Sequence, residues 1–247
     1  MARTLLVRGL IAGAFAGVLA FLFAYVFGEP QVDAAIAFEE ALAAASNAPA
    51  EAEVVSRDVQ STLGLLTGTV IMGVALGAVF AILFAWAYGR VGALHARATS
   101  ALLALGAFIA ITLVPSTKYP ANPPTVGNPD TIDRRTLLFI AMIAISVLAL
   151  IAAWRLFRQL APSLGSWNGA IVAGLVFVVV IAVAELILPG VQETPRAFPA
   201  DVLWHFRITS IGINAVLWAG IGLGFGALAE RVLEPTAARR ATVTAGA

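Results

Sequence analysis

Long apolar stretches alternate with shorter polar segments along the whole chain. A transmembrane helix needs about 20 mostly apolar residues to cross the hydrocarbon core of a bilayer. Six stretches meet or approach this length: 5–27, 62–88, 98–114, 136–154, 168–188 and 208–228. The third is the shortest, but it contains no charged residue, and we therefore include it. The pattern predicts an all-α integral membrane protein of about six transmembrane helices, forming one transmembrane domain over residues 1–247.

The polar connections predict how these helices are arranged. Segments 29–61, 115–135 and 189–207 follow every second span, so they are expected on one side of the membrane as extracytoplasmic loops. The helices would then form three outward-facing hairpins. Alanines between positions 32 and 45 favour a short helix inside the first loop. Residues 235–247 are predicted to be a flexible cytoplasmic tail.

Composition supports a membrane protein and excludes several kinds of site. Hydrophobic residues make up 60% of the chain and charged residues only 12%, whereas about a quarter of residues are charged in soluble domains. The absence of cysteine excludes disulfides, thiolate metal sites and iron–sulfur clusters. The net charge of +1 argues against a nucleic-acid partner. The first apolar stretch is too long for a signal peptide and lacks a cleavage pattern, which predicts a retained anchor helix.

The distribution of charge predicts the orientation in the membrane. Loops that face the cytoplasm are enriched in lysine and arginine. With the N-terminus inside, nine of the 15 basic residues are cytoplasmic, and 11 of the 14 acidic residues lie outside. We therefore predict cytoplasmic N- and C-termini in the bacterial cell membrane and an acidic outer face.

Acidic residues of the first outer loop are candidate metal ligands. Glu29, Asp33, Glu39 and Glu40 lie close together in sequence, and His205 falls on the same predicted side. Carboxylates bind hard and borderline divalent cations, and an imidazole adds affinity for transition metals. The alternative is that the carboxylates form a solvated loop surface and that His205 lies at the membrane interface.

One ionisable residue lies within a predicted span. Glu185 is about one turn before Pro189, and a charge at the bilayer centre costs roughly 2.5–3.5 kcal/mol on insertion scales. Its carboxylate is therefore a candidate for ion passage. Two alternatives are that it reaches the outer interface or that it pairs with an arginine such as Arg207.

Glycines recur at helical spacing on three predicted spans, and motifs for catalysis are absent from the sequence. Glycine stripes on the first, second and last spans favour close helix packing within the chain, with a homo-oligomer interface as the alternative. No nucleotide-binding or catalytic motif is present. An enzyme and a permanently bound cofactor are therefore not expected.

Several polar and proline-rich segments resemble a known family. The segments run from one end of the chain to the other: Leu5–Leu10, Phe27–Asp33, Ala35–Glu40, Lys118–Pro124, Phe198–Pro199 and Phe206–Arg207. Together they resemble the predicted cobalt transporter subunit family CbtA. The loop positions singled out by this comparison and by the hairpin pattern are Pro30, Lys118, Tyr119, Pro120, Arg135 and Arg207.

The resemblance implies a function. Members are described as membrane proteins of about five or more spans that supply cobalt for cobalamin synthesis beside a small, single-helix, histidine-bearing partner, CbtB. The chain is accordingly predicted to be a component of a cobalt(II) uptake system. In this hypothesis the carboxylates of the first loop attract the ion, Asn122 and His205 complete its coordination, and Glu185 receives it within the membrane. The partner would supply further imidazole ligands.

Two other functions remain open at this point. The chain could be a non-transporting assembly or sensor subunit whose outer loops bind another membrane protein. It could instead be a permease for a small organic solute, with Arg135 and Arg207 in place of carboxylate ligands.

Overall fold

The protein is all-helical in the residues that its computed structural model describes, 2–46 and 55–234. The predicted tail, 235–247, lies outside the described residues. Five helices are long and apolar enough to cross a membrane: α1 (Ala2–Ser46), α2 (Arg57–Ala87), α3 (Ala96–Lys118), α4 (Pro129–Ile187) and α5 (Ala200–Leu233). The predicted class, an all-α multi-pass membrane protein, is confirmed.

Helix α4 contains a chain reversal, which explains why five helices correspond to six predicted spans. Gly165 has φ 77° and ψ 158°, which is not helical. A Cβ atom placed on Gly169 would lie 3.2 Å from the backbone nitrogen of Ala161, although eight residues of straight helix extend about 12 Å. The chain therefore folds back at Gly165, and its two arms contain the predicted spans 136–154 and 168–188. Six membrane crossings, and the side on which the termini lie, remain predictions.

Helix α1 continues far beyond its predicted span. A π-helical turn at Ala24–Gly28 leads directly into the helical segment Glu29–Ser46. Pro30 lies in this continuous helix and has no N–H to donate to the preceding turn. A π turn changes the hydrogen-bond partners by one residue, and such turns occur frequently at functional sites. The helix expected around residues 32–45 is thus present, joined to α1 without a break.

Two compact units divide the chain: unit 1 comprises Met1–Leu105 with Ile208–Ala247, and unit 2 comprises Gly106–Arg207. In unit 1, glycines bring the backbones of α1 and α2 into contact. A Cβ on Gly13 would lie 2.1 Å from the carbonyl oxygen of Gly73, and one on Gly73 would lie 2.3 Å from that of Gly13. Gly9 and Gly77 form an equivalent pair. These stripes serve packing within the chain.

Aromatic side chains fill the centre of unit 1. Phe225 of α5 packs edge-on against Phe84 and Phe80 of α2, with ring centroids 4.9 and 5.5 Å apart. Ser100 of α3 donates a 2.6 Å hydrogen bond to the carbonyl of Gly222. Contacts of this kind fix the relative positions of α2, α3 and α5 within the unit.

Unit 2 has a separate apolar core. Its buried members come from the end of α3, the following loop and both arms of α4: Val114, Tyr119, Met142, Ala149 and Ile181. Large apolar side chains elsewhere are exposed, such as Leu186 at 86% and Leu137 at 68%. An extensive exposed apolar surface of this kind suits contact with lipid.

Candidate functional site

The first group of predicted site residues lies where α1 and α2 approach each other in unit 1. Glu29 and Asp33 are one helical turn apart on α1, and Arg57 is the first residue of α2. Arg57 Nε donates to Asp33 Oδ1 at 2.9 Å, and a second guanidinium nitrogen pairs with Glu29. The Glu29 side chain is 13% exposed and that of Asp33 is 62% exposed. One arginine therefore holds both carboxylates, leaving a net charge of about −1 on this cluster.

Two π turns adjoin this cluster, which we call the Arg57 cluster after Glu29, Asp33 and Arg57. One ends at Gly28, immediately before Glu29, and the other spans Gln60–Gly64, shortly after Arg57. Each π turn contains one more residue than a regular α-helical turn, so it changes the direction in which the side chains beyond it point. The orientation of the three charged side chains thus depends on irregular backbone, which hydrophobic periodicity does not reveal.

The other acidic residues of the first segment lie farther along α1. Glu39 and Glu40 are exposed in the last two turns of the helix, toward its C-terminal end. Among residues 2–46 and 55–234, no group of three or more histidine, aspartate or glutamate side chains is close enough to hold a metal ion. The metal-binding role of these carboxylates stays a prediction, and within the described residues the closest partner of Glu29 and Asp33 is an arginine.

The second group of predicted residues lines a cavity in unit 2 of about 310 Å³, which we call the outer cavity. Its wall is formed by the proline-rich segment after α3, the start of α4, the segment after α4 and the start of α5: Tyr119, Pro120, Asn122, Val126, Arg135, Thr136, Phe139, Val191, Glu193, Thr194 and Arg207. Five of the residues singled out from sequence, Tyr119, Pro120, Asn122, Arg135 and Arg207, are brought together here.

Glu193 is a residue of this cavity that sequence reasoning did not single out. Its carboxylate accepts hydrogen bonds from the Asn128 backbone N–H and the Thr131 hydroxyl, both at 2.7 Å, and lies 3.5 Å from Arg135 Nε. The Asn128 N–H, followed by the Thr131 hydroxyl, lowers the pKa of the Glu193 carboxyl below its ordinary value. Glu193 is therefore ionised at neutral pH. Its hydrogen bonds connect the segment after α4 to the residues around the start of α4.

Arg207 provides a second positive charge at the cavity wall. Its guanidinium donates to Asn122 Oδ1 at 2.9 Å and to the Ala121 carbonyl at 3.4 Å. No described carboxylate forms an ion pair with Arg207, whereas Arg135 faces Glu193. The three charged residues of the cavity wall thus leave an excess of one positive charge.

Polar contacts also fix the segment that enters this cavity. Tyr119 donates its hydroxyl to the Pro189 carbonyl at 2.9 Å, and burial raises the pKa of that hydroxyl. Lys118 Nζ donates to the Glu185 backbone carbonyl at 2.6 Å. The Glu185 carboxylate accepts a hydrogen bond from the Thr117 hydroxyl. The described partner of Glu185 is thus a threonine, and its role in ion passage stays a prediction.

The two remaining predicted ligands already have partners of their own. His205 is exposed, and its Nδ1 lies 2.8 Å from the Asp201 carbonyl, one turn earlier in α5. The Oδ1 atom of Asn122 accepts from Arg207. A metal ion bound by Asn122 through this oxygen would therefore lie beside the positive charge of the guanidinium.

A match to a protein-family model shows which family the chain belongs to. The model of the family described as "Probable cobalt transporter subunit (CbtA)" matches residues 2–230. The chain belongs to the CbtA family. This match covers both the Arg57 cluster and the outer cavity, and it confirms the resemblance found in the loop segments. No curated protein and no solved structure matches the chain significantly.

Membership gives a coarse function to the geometry. CbtA proteins are described as transporter subunits, and the present chain has several helices that can cross a membrane. At the level of the family, the chain is therefore a probable subunit of a cobalt transporter.

Proposed function

We propose that this chain is the membrane component of a cobalt(II) uptake system in the bacterial cell membrane, with both termini in the cytoplasm. The single observation that carries this proposal is the family match over residues 2–230. The protein moves the ion, or helps to move it, and catalyses no chemical reaction. A small single-helix CbtB-like protein is its partner and contributes imidazole ligands, since the chain has only two histidines.

The Arg57 cluster supports a role in capturing the ion. Two carboxylates one turn apart offer oxygen ligands that suit a divalent transition metal. In the structure Arg57 binds one oxygen of each carboxylate, so Co²⁺ must compete with the guanidinium for this cluster. Glu39 and Glu40 add negative charge farther along α1. Competition with a resident cation keeps binding weak and reversible, as a transport pathway requires.

Groups of unit 2 have proposed roles of their own. His205 and Asn122 would act as a nitrogen and an oxygen ligand for the ion. Glu185 would be the first carboxylate to meet the ion within the membrane. In the structure these side chains contact the Asp201 carbonyl, Arg207 and the Thr117 hydroxyl respectively. Because His205 Nδ1 faces a carbonyl and must donate to it, Nε2 is the nitrogen that would bind the ion.

Cobalt flux tests this assignment. The purified chain would be placed in liposomes with and without its small partner, and ⁵⁷Co²⁺ entry would be followed with nickel, magnesium and zinc as competitors. We expect cobalt-selective flux that falls strongly in the double variant Glu29→Gln, Asp33→Asn. The control Asp130→Asn, Asp133→Asn removes the same charge from another predicted outer loop. Unchanged flux in the first variant would refute the roles assigned to Glu29 and Asp33.

The outer cavity favours a second candidate, a permease for a small organic anion. A volume of about 310 Å³ is at the lower end for a small-molecule site. Arg207 and Arg135 supply donors that suit a carboxylate. Uptake of a labelled carboxylate that is lost in Arg207→Gln, and is insensitive to cobalt, would favour this function. Absence of any flux from folded protein that still copurifies with its partner would instead favour an assembly or sensor subunit.

A further inference from the structure

A groove in unit 1 lies outside both groups described above. It runs between the start of α1 and the end of α5 and has a volume of about 610 Å³. Its lining residues are Arg3, Thr4, Val7, Arg8, Ile11, Leu228 and Arg231. We call it the terminal groove. Its residues take no part in the proposed capture of cobalt.

Three of the seven lining residues are arginines, and none is acidic. Arg8 donates to the Leu228 backbone carbonyl, and no described carboxylate pairs with Arg3, Arg8 or Arg231. The acidic residue nearest in sequence, Glu230, accepts instead from Arg97 Nε at 2.6 Å. The groove therefore carries an uncompensated positive charge.

The same groove becomes apolar along α1. Val7 is 46% exposed and Ile11 is 57% exposed, and both line it one and two turns beyond Arg3. Ile11 lies about 12 Å from Arg3 along the helix axis, at 1.5 Å per residue. The positive end lies at the helix termini, and the apolar end continues toward the middle of the predicted span.

We propose that the terminal groove binds one anionic phospholipid. The phosphodiester contacts Arg3, Arg8 and Arg231, and an acyl chain lies along Val7 and Ile11. A soluble phosphate would satisfy the arginines but leave the apolar half uncovered, whereas a zwitterionic lipid carries a compensating positive charge. Arginine suits this role because its planar guanidinium forms paired hydrogen bonds with phosphate oxygens. Basic pockets between transmembrane helices on the cytoplasmic side bind anionic head groups in this way.

The test compares lipids that differ only in head group. The detergent-purified full chain would be titrated with phosphatidylglycerol or phosphatidylcholine of identical acyl chains, with bound lipid counted by native mass spectrometry. Glycerol phosphate without acyl chains serves as the soluble probe. We expect one preferentially bound phosphatidylglycerol and no binding of glycerol phosphate at the same concentration.

Variants locate the lipid. Arg3→Gln with Arg231→Gln should weaken phosphatidylglycerol binding roughly 30-fold, since each arginine near a charged surface contributes about a factor of five. Arg155→Gln with Arg158→Gln removes the same charge elsewhere on the predicted inner side and should leave binding unchanged. Unfolding temperatures in detergent alone verify that each variant is folded. If the double glutamine variant is not folded, Arg231→Gln alone replaces it, with a roughly five-fold weakening expected.

Three results would overturn the proposal: equal binding of both lipids, equal loss in the two glutamine variants, or glycerol phosphate binding as tightly as the lipid. The last result would identify a soluble anion as the ligand. None of these results bears on cobalt flux, so the lipid site and the proposed transport function fail or succeed separately.

Discussion

Replacing Gly73 with alanine tests the backbone contact on which the packing of α1 against α2 depends. The added Cβ would lie 2.3 Å from the Gly13 carbonyl oxygen and 3.0 Å from the Gly17 Cα. Non-bonded heavy atoms prefer separations of about 3.5 Å or more. The first contact is formed with backbone, which cannot rotate away as a flexible side chain can. The two helices must therefore separate by roughly 1 Å at this point.

The expected cost follows from that displacement. Overpacking of a close contact costs typically about 1–3 kcal/mol. For a chain of this size that corresponds to a fall in the unfolding temperature of roughly 2–12 °C. The measurement is thermal unfolding of purified protein in one detergent at a fixed scan rate, followed by the change in tryptophan fluorescence.

Gly68 provides a matched control on the same helix. A Cβ at this position meets no atom within 4 Å, and alanine favours helix over glycine by about 1 kcal/mol. Gly68→Ala should therefore leave the unfolding temperature unchanged or slightly higher. An equal fall in both variants, or no fall in Gly73→Ala, would refute the close α1–α2 contact.

Three further outcomes are expected. Gly165→Ala places a side chain at φ 77° and ψ 158°, where strain costs about 1–3 kcal/mol, and it should lower the unfolding temperature more than the helical control Gly174→Ala does. Glu234 directly follows α5, and its carboxylate accepts hydrogen bonds from the Ala96 N–H at 2.9 Å and the Tyr88 hydroxyl at 2.8 Å. Burial raises the pKa of this carboxyl, but the hydrogen bonds, led by the Ala96 N–H, outweigh burial and lower it. The stability that Glu234 contributes is present above its unfolded pKa and is lost as pH falls through the lower folded pKa, so Glu234→Gln should reduce the loss of unfolding temperature measured in acid. Arg57→Gln should strengthen Co²⁺ binding measured by calorimetry, because it frees both carboxylates of the Arg57 cluster; binding that is unchanged or weaker in folded protein would contradict ion capture there.

The membrane fold could be predicted from sequence because hydrophobic length is a strong signal. Four of the six predicted spans fall within helices of the structure, including the short stretch 98–114 in α3, and the spans 62–88 and 168–188 each extend one residue past a helix end. The reversal near Gly165 was also expected as a connection between spans four and five. Its tightness was not, since the intervening residues are helical on both sides of one glycine. A helix-length criterion alone therefore merges two predicted spans.

The course of α1 was harder to predict. Glu29 and Pro30 have the composition of a helix end, yet the chain continues as helix to Ser46. A π turn lies directly before this segment, and no simple sequence pattern marks a π turn. The hydrophobic pattern of a sequence indicates which residues are buried. A shift in backbone hydrogen bonding at this turn leaves that pattern unchanged, so the pattern does not reveal the turn.

Sequence singled out several residues that lie close together in the structure, but it did not predict their partners. Tyr119, Asn122, Arg135 and Arg207 do line one cavity, which agrees with their place in the loop segments. Glu193 was counted only as part of an acidic outer face, although it is fixed by three groups in the structure. Pairings between distant segments, such as Arg57 with Asp33, depend on tertiary contacts that a single sequence does not encode locally.

The charges of the two groups place a constraint on how cobalt can be handled. The Arg57 cluster has two carboxylates and one resident guanidinium, whereas the wall of the outer cavity has two guanidinium groups and one carboxylate. A bare divalent cation is attracted by the first group and repelled by the second. Compensating negative ligands on the ion would therefore favour a route through the outer cavity, whereas capture at the Arg57 cluster must compete with the arginine. Cobalt flux measured with and without an added carboxylate chelator separates these routes. The chelator would support passage through the outer cavity, and it would compete with the Arg57 cluster for the ion.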